Sequence, residues 1–199
     1  MPDNPRLTIP VLLGTIRAGR LSAHVARLLL GRLDGRDEVA TALIDLAELD
    51  LPVMRQRLGE SDQAPPGAVG LSENLSRSDG LVIVAPEYKN GYPGSLKNAI
   101  DYLPAGILRR KPVGIVTVSS GGFGGLNCLA QLRLVCLAMG GVPIPVTLPV
   151  SRVAEAFDEG GRLCDPKLDA RIGPFLDELI WYTRSLSHPR GSAGESGGA

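Results

Sequence analysis

Apolar and polar residues follow two periods along the chain, and these periods predict the order of its secondary-structure elements. Five short apolar runs have the length and composition of buried β-strands: residues 7–14, 39–46, 81–85, 112–118 and 142–146. Apolar residues recur at helical spacing in five further segments: residues 22–33, 66–78, 95–103, 126–139 and 165–186. Strands and helices therefore alternate, and a long charged loop at residues 49–65 interrupts the pattern once.

The alternation predicts one α/β domain with a parallel sheet. The segment at residues 81–85 is apolar throughout, as a strand buried on both faces should be. Because crossovers between parallel strands are right-handed, few arrangements remain. We predict a flavodoxin-like three-layer sandwich with a five-stranded parallel sheet in the order 2-1-3-4-5. This domain is expected to span residues 1–187, and the Gly- and Ser-rich residues 188–199 are predicted to be disordered.

The charge and cysteine content narrow the classes of partner. The 21 basic residues balance the 21 acidic residues, so no charged field favours nucleic acid. No apolar run approaches the length of a membrane span, and the first six residues lack the pattern of a signal peptide. The three cysteines have neither disulfide-framework nor zinc spacing. We therefore expect a cytoplasmic protein with no nucleic-acid or membrane partner.

Catalysis or metal binding by histidine is not indicated, because the chain contains only His24 and His188. His188 lies in the Gly-rich tail, and no G-x-S-x-G elbow is present, so a Ser-His-Asp hydrolase is not indicated. With two histidines a multi-histidine metal centre is not indicated either, and we expect no metal site. His24 is expected at the surface.

The loop at residues 14–22 joins the first strand to a helix and is the first of three candidate ligand loops. In doubly wound sheets, ligands bind outside the carboxyl ends of the strands, near the switch in strand order. Thr15 and Ser22 supply hydroxyl groups, and Arg17 or Arg20 could bind phosphate oxygens at the helix amino terminus. The alternative is an ordinary turn in which Ser22 caps the helix.

The other two candidate loops follow the third and fourth strands. Residues 86–94 hold two prolines, two glycines and two tyrosines, Tyr88 and Tyr92, which could flank a planar ring. Residues 119–125 include four glycines, which allow a ligand close to the backbone. Taken singly, each could be a structural turn or a linker. Their place on one edge of the sheet favours a binding site.

The motifs in these loops resemble those of the NADPH-dependent FMN reductase family. The family pattern G-[ST]-x-R-x-G-R is similar to residues 14–20, and P-E-Y-N-x-x-x-P-x-x-L-K-N-A-[IL]-D is similar to residues 86–101. A Gly-rich S-x-G-G-x-x-G segment matches residues 119–125. The similarity extends from about residue 7 to residue 146, and the second motif is the most specific.

The resemblance implies an FMN site made by the three loops. The phosphate would be held by the first loop, through Thr15, Arg17 and Ser22, with Arg20 as a second guanidinium. The isoalloxazine would be lined mostly by backbone of the second loop, at Pro86, Glu87, Tyr88 and Asn90. Its other edge would be closed by Ser119, Gly121 and Gly122. Lys89 replaces the family asparagine beside the flavin, where it could add a positive charge or point to solvent.

The resemblance also implies an activity: hydride passes from NAD(P)H through bound FMN to a second acceptor, such as a quinone, flavin, azo compound, metal ion or oxygen. Tyr92 and Phe123 are candidate platforms for the nicotinamide or the acceptor, although either could simply pack. A homodimer or homotetramer is expected. The alternatives are a non-catalytic electron carrier like flavodoxin and an interaction protein that holds no flavin.

Overall fold

A computed structural model describes residues 6–60 and 63–187, so the predicted tail at residues 188–199 lies outside the described residues. The strands are β1 Leu7–Thr8, β2 Val11–Leu13, β3 Val39–Ala40, β4 Leu43–Asp45, β5 Leu81–Pro86, β6 Pro112–Val118, β7 Val142–Pro143 and β8 Leu148–Val150. The helices are α1 Ser22–Asp34, α2 Pro66–Arg77, α3 Gly94–Tyr102, α4 Leu126–Ala138, α5 Val153–Ala156 and α6 Pro166–Leu186. The alternation of strands and helices predicted from the sequence is confirmed.

All the strand pairs are parallel. The main sheet has the order β4-β2-β5-β6-β7, and β8 also pairs with β6. A separate two-stranded ladder joins β1 to β3. The single strand predicted at residues 7–14 is divided into β1 and β2, because Pro10 between them has no N–H group to donate to a neighbouring strand. The chain nevertheless stays paired with the segment between β3 and β4, since the N–H of Val11 donates to the Ala42 carbonyl at 2.9 Å.

The prediction of five strands is wrong in detail, because the last position of the sheet is shared by two short strands. β7 contains only Val142–Pro143 and pairs with the start of β6, whereas β8 pairs with the end of β6. Two prolines, Pro143 and Pro145, interrupt the ladder between them. The strand that was missed, β8, reaches the carboxyl edge of the sheet, where the candidate loops lie.

Helices cover both faces of the sheet. Alternate side chains of β5 point to opposite faces, as in any strand. Val82 and Val84 join a core cluster with α1 and α6. Leu81, Ile83 and Ala85 join a second cluster with α2, α3 and α4. Among the described residues, no helix is long and apolar enough to cross a membrane.

The longest helix, α6, lies close against β6 because the strand has a glycine at the contact. Phe175 is fully buried. A Cβ added to Gly114 would lie 2.7 Å from the Cζ of Phe175, so a larger residue would force the helix away. The start of the helix is capped by Asp165, whose side chain accepts the N–H groups of Lys167 and Leu168.

Candidate active site

The three candidate loops meet at the carboxyl edge of the sheet around a cavity of about 240 Å³. Seven of the predicted site residues line it: Arg17, Arg20, Ser22, Pro86, Glu87, Tyr88 and Ser119. The cavity is completed by residues that the sequence did not single out: Gly19, Leu21, Val118, Ser120 and Val153. The other predicted site residues do not line this cavity: Thr15, Lys89, Asn90, Gly121 and Gly122.

The first loop is joined to the second through Thr15. Its side chain is buried, and the Oγ1 atom lies 3.1 Å from the hydroxyl oxygen of Tyr88. The guanidinium carbon of Arg17 lies 5.9 Å from the centroid of the Tyr88 ring, within the range of a cation–π contact. Thr15 therefore helps to position the aromatic ring, and Arg17, which lines the cavity, lies over that ring.

The amino end of α1 has the features of an anion site. Ser22 is the first residue of the helix rather than its N-cap, which is Leu21. Its buried Oγ has no hydrogen-bond partner among the described residues, and neither has the buried Nε of Arg20. Within that described part, the backbone N–H groups of Gly19, Leu21 and Ser22 have no acceptor either. Unsatisfied donors at the positive end of a helix favour a phosphate or another anion.

Arg20 is held by a partner that the sequence did not indicate. Its Nη2 atom forms an ion pair with Oδ2 of Asp45, the last residue of β4. Both side chains are largely buried, 17% and 9% exposed respectively. Arg20 therefore lines the cavity as a guanidinium already bound on one side, not as a free second cation.

The second loop contains a tight turn from Tyr88 to Gly91. The N–H of each of these residues donates to the carbonyl of the other, at 2.9 and 3.1 Å. Lys89 and Asn90 lie between them with φ angles of 50° and 64°, in the left-handed region. This is the geometry of a type I′ turn. Lys89 is exposed at its tip, and the carbonyl of Asn90 accepts a hydrogen bond from Gln131 of α4 at 2.7 Å.

Glu87 joins the second loop to the third. Its N–H donates to the Val118 carbonyl at 2.8 Å. One carboxylate oxygen accepts the N–H groups of Asn127 and Cys128, each at 3.0 Å, and so caps the amino end of α4. The family resemblance implied that Glu87 lies beside the flavin ring. The structure gives its carboxylate a partner within the protein.

The third loop is fixed by short contacts that require glycine. The N–H of Ser119 donates to the Val150 carbonyl of β8 at 2.9 Å, and its Oγ donates to the Gly121 carbonyl at 2.9 Å. Gly124 has a φ angle of 65°, and a Cβ there would lie 2.7 Å from the Cβ of Pro149. Only glycine suits both conditions. The loop is therefore a shaped part of the site and not a flexible linker.

The remaining candidates differ in their surroundings. Tyr92 packs against a core cluster, and burial raises the pKa of its hydroxyl. Phe123 is 83% exposed beside the third loop. His24 is half-buried and stacks on Phe157 with ring centroids 5.7 Å apart, so it is less exposed than predicted. Within the described residues, no group of three His, Cys, Asp or Glu side chains could hold a metal ion.

The donor set fits FMN. The unsatisfied N–H, Nε–H and hydroxyl groups at the start of α1 suit a terminal phosphate. Tyr88 and the glycine-shaped third loop border the same cavity or lie next to it and suit a planar ring. The two ends of the arrangement therefore have the chemistry of the two ends of a flavin mononucleotide.

Comparison with known proteins gives the same assignment. Residues 7–155 match the family described as NADPH-dependent FMN reductase. The quinone reductase of Escherichia coli (strain K12) is 38% identical over 176 residues, 87% of each chain. The NADPH azoreductase of Bacillus sp. (strain OY1-2) is 35% identical over 128 residues, 64% of this chain and 67% of the relative. A solved structure, the flavoenzyme NAD(P)H:(acceptor) oxidoreductase FerB from Paracoccus denitrificans, matches with a TM-score of 0.72 at 27% identity, over 88% of this chain and 98% of its own.

Proposed function

Because the chain belongs to the NADPH-dependent FMN reductase family, it is an FMN-dependent NAD(P)H oxidoreductase, and we propose that quinones are its electron acceptors. The quinone assignment rests on the 38% identity to a quinone reductase. The observation that supports the FMN site is the pair of buried, unpartnered polar atoms at the amino end of α1, Arg20 Nε and Ser22 Oγ. Both residues line the cavity formed by the three loops. We infer that residues 1–187 form one FMN-binding domain.

The chain's own residues bind and orient the cofactor. The phosphate is assigned to the first loop, through Thr15, Arg17, Arg20 and Ser22. The ring is assigned to the second and third loops, through Pro86, Glu87, Tyr88, Lys89, Asn90, Ser119, Gly121 and Gly122. Glu87, Lys89 and Asn90 would contact the ring through backbone, because the carboxylate of Glu87 is bound to α4 and the other two side chains are exposed.

Bound FMN supplies a ring that accepts hydride from NAD(P)H and passes it on. The second and third loops would hold and orient this ring, and it would react with the two substrates in turn. No side chain is assigned as a general acid or base, since hydride transfer to a quinone can take its proton from water. We infer a cytoplasmic location, since the cysteines are free thiols and NAD(P)H is an intracellular reductant.

Anaerobic mixing of the FMN-loaded protein with NADPH tests the proposal. We expect the visible absorbance of oxidised flavin to bleach within minutes, and the colour to return when a benzoquinone is added. A protein that binds FMN but is not bleached would be an electron carrier. A protein that cannot bind FMN at all would contradict the site as well as the activity.

Azo compounds are the second candidate class of acceptor, because a relative at 35% identity is an NADPH azoreductase. Steady-state rates with a quinone and an azo dye, each measured with NADPH and with NADH, rank the four combinations. Turnover of the azo dye at a higher kcat/KM than the quinone would reverse the assignment of acceptor.

We further infer that the protein is a homodimer or homotetramer, with a second copy covering an apolar stripe on α4. Leu126, Leu134 and Leu137 lie on one side of this helix and are 50%, 69% and 59% exposed. The stripe adjoins the third loop, where Phe123 is also exposed, so the covering copy would border the candidate site. The opposite side of α4 is buried in the core.

Light scattering on two matched variants tests this surface. We expect Leu134→Glu to lower the molar mass toward that of one chain, because a charge would be buried in the contact. Leu186→Glu is the control, since Leu186 is an exposed leucine on α6, in the layer on the other face of the sheet. Equal masses for the wild type and Leu134→Glu would place the contact elsewhere.

A further inference from the structure

Asp45 brings a buried carboxylate from the second predicted strand to the phosphate loop. It is the last residue of β4, aligned with Leu13 at the end of β2, and it is 8% exposed. One of its oxygens accepts the N–H of Ala47 at 3.0 Å. The other forms the ion pair with Nη2 of Arg20. The carboxylate is therefore fixed by its own strand end and in turn fixes the arginine.

This contact determines which part of the guanidinium is available. Arginine has five N–H donors in a rigid plane, so holding one edge sets the direction of the others. With Nη2 on Asp45, the Nε of Arg20 is buried and has no partner among the described residues. Ser22 Oγ is in the same condition two residues along the chain. Both belong to residues that line the cavity of the three loops.

We propose that Asp45 is a positioning residue for phosphate binding: it anchors Arg20 so that Nε, together with Ser22 Oγ, serves the phosphomonoester of FMN. The inference rests on the proposed function and adds a residue from a strand whose loop does not line the cavity. Asp45 itself makes no contact with the phosphate. Its effect passes through Arg20.

The sign of the effect separates positioning from simple electrostatics. A carboxylate near a phosphate repels it, so neutralising Asp45 should strengthen anion binding if charge alone mattered. If Asp45 acts by orienting Arg20, neutralising it should weaken binding, because a free arginine side chain loses rotamer entropy on binding. The two effects oppose each other, and the geometry favours positioning because the Asp45 charge is already paired with a cation.

The test compares binding of FMN and riboflavin to the flavin-free protein by fluorescence titration. We expect Asp45→Asn to weaken FMN binding about tenfold, or about 1.4 kcal/mol, and to leave riboflavin binding unchanged, because riboflavin lacks the phosphate. Asp50→Asn is the matched control, an exposed carboxylate in the loop after β4 that has no hydrogen bond among the described residues. It should bind both flavins like the wild type.

Two variants of Arg20 complete the test. In an Arg20→Ala background, Asp45→Asn should cause no further loss of FMN affinity, since nothing is left to position. Arg20→Lys keeps a cation for Asp45 but has no Nε–H, and it should lose FMN affinity selectively even if Asp45→Asn does not fold. Unchanged or tighter FMN binding in Asp45→Asn, or an equal loss in the Arg20→Ala background, would overturn the inference. Failure of the wild type to bind FMN would instead overturn the proposed function.

Discussion

Replacing Lys89 by asparagine should stabilise the protein, because the turn that contains it requires a left-handed backbone. Lys89 and Asn90 are the two central residues of the turn from Tyr88 to Gly91, and both have positive φ angles. A type I′ turn favours asparagine, aspartate and glycine at these positions. Asn90 meets this preference, and Lys89 does not.

The size of the gain follows from the φ angle of 50° at Lys89. An ordinary L-residue in the left-handed region costs roughly 1–2 kcal/mol, and asparagine relieves part of that cost through local hydrogen bonding. We therefore expect Lys89→Asn to raise the free energy of unfolding by about 0.5–1 kcal/mol. In a chain of this length that raises Tm by about 1–4 °C.

Thermal unfolding followed by circular dichroism measures this gain. Lys89→Ala is the matched control: it removes the same charge but keeps a Cβ with no polar group, so its Tm should not rise. If the alanine and asparagine variants were equally stabilised, the gain would come from removing the charge, and the backbone argument would be refuted.

The same variant reports on the charge beside the flavin. Lys89 is exposed at the tip of the turn, so solvent and salt screen its ammonium group. We expect the reduction potential of bound FMN to be the same in the wild type and in Lys89→Asn. A lower potential in the variant would show that the ammonium group acts on the ring.

Three further predictions concern helix packing, thiol labelling and the pH dependence of stability. Gly67→Ala should lower the free energy of unfolding by about 1–3 kcal/mol in urea, because its Cβ would lie 2.0 Å from the carbonyl oxygen of Leu49. Gly70→Ala is the control, because Gly70 lies in the same helix with open space around it. This variant should raise the free energy of unfolding by about 0.5–1 kcal/mol. If both variants changed the free energy of unfolding in the same direction, the packing argument would be wrong. Iodoacetamide should label the exposed Cys164 and not Cys128, since burial and a nearby carboxylate raise the pKa of Cys128 from 9.0 to about 12. Mass spectrometry identifies the labelled residues, and labelling of both cysteines would contradict the prediction. The unfolded chain ionises this thiol first, so stability should fall as the pH rises above 9.0.

Local patterns were sufficient to predict most of the fold and the family. Apolar runs identified β5 and β6 because both are buried on both faces. Helical spacing identified α1 and α6, and the resemblance to FMN reductases is confirmed by the family match. The end of the sheet was not predicted correctly, because Pro143, Pro145 and Pro149 hide a strand of three residues, β8, in a segment that looks like loop.

Long-range partners could not be predicted from the sequence. Asp45 and Arg20 are 25 residues apart, and Glu87 and Cys128 are 41 apart, so no periodic pattern relates them. In the sequence, Asp45 is an ordinary strand residue and Glu87 an ordinary member of a motif. Their roles depend on which loops the sheet order brings together, which only the folded chain determines.

The motif residues act on one another as well as on a ligand, and this changes how a loss of activity at them should be understood. Thr15 lies within hydrogen-bond distance of Tyr88, Glu87 caps α4, and Ser119 is held by β8. Each contact fixes a residue that lines the cavity, namely Tyr88, Glu87 or Ser119, so the protein itself holds the lining in place. Preorganisation of this kind lowers the entropy cost of holding a ring and a phosphate at once. A substitution at Glu87 would therefore impair the site by releasing α4 from the second loop, even though its carboxylate is already bound within the protein.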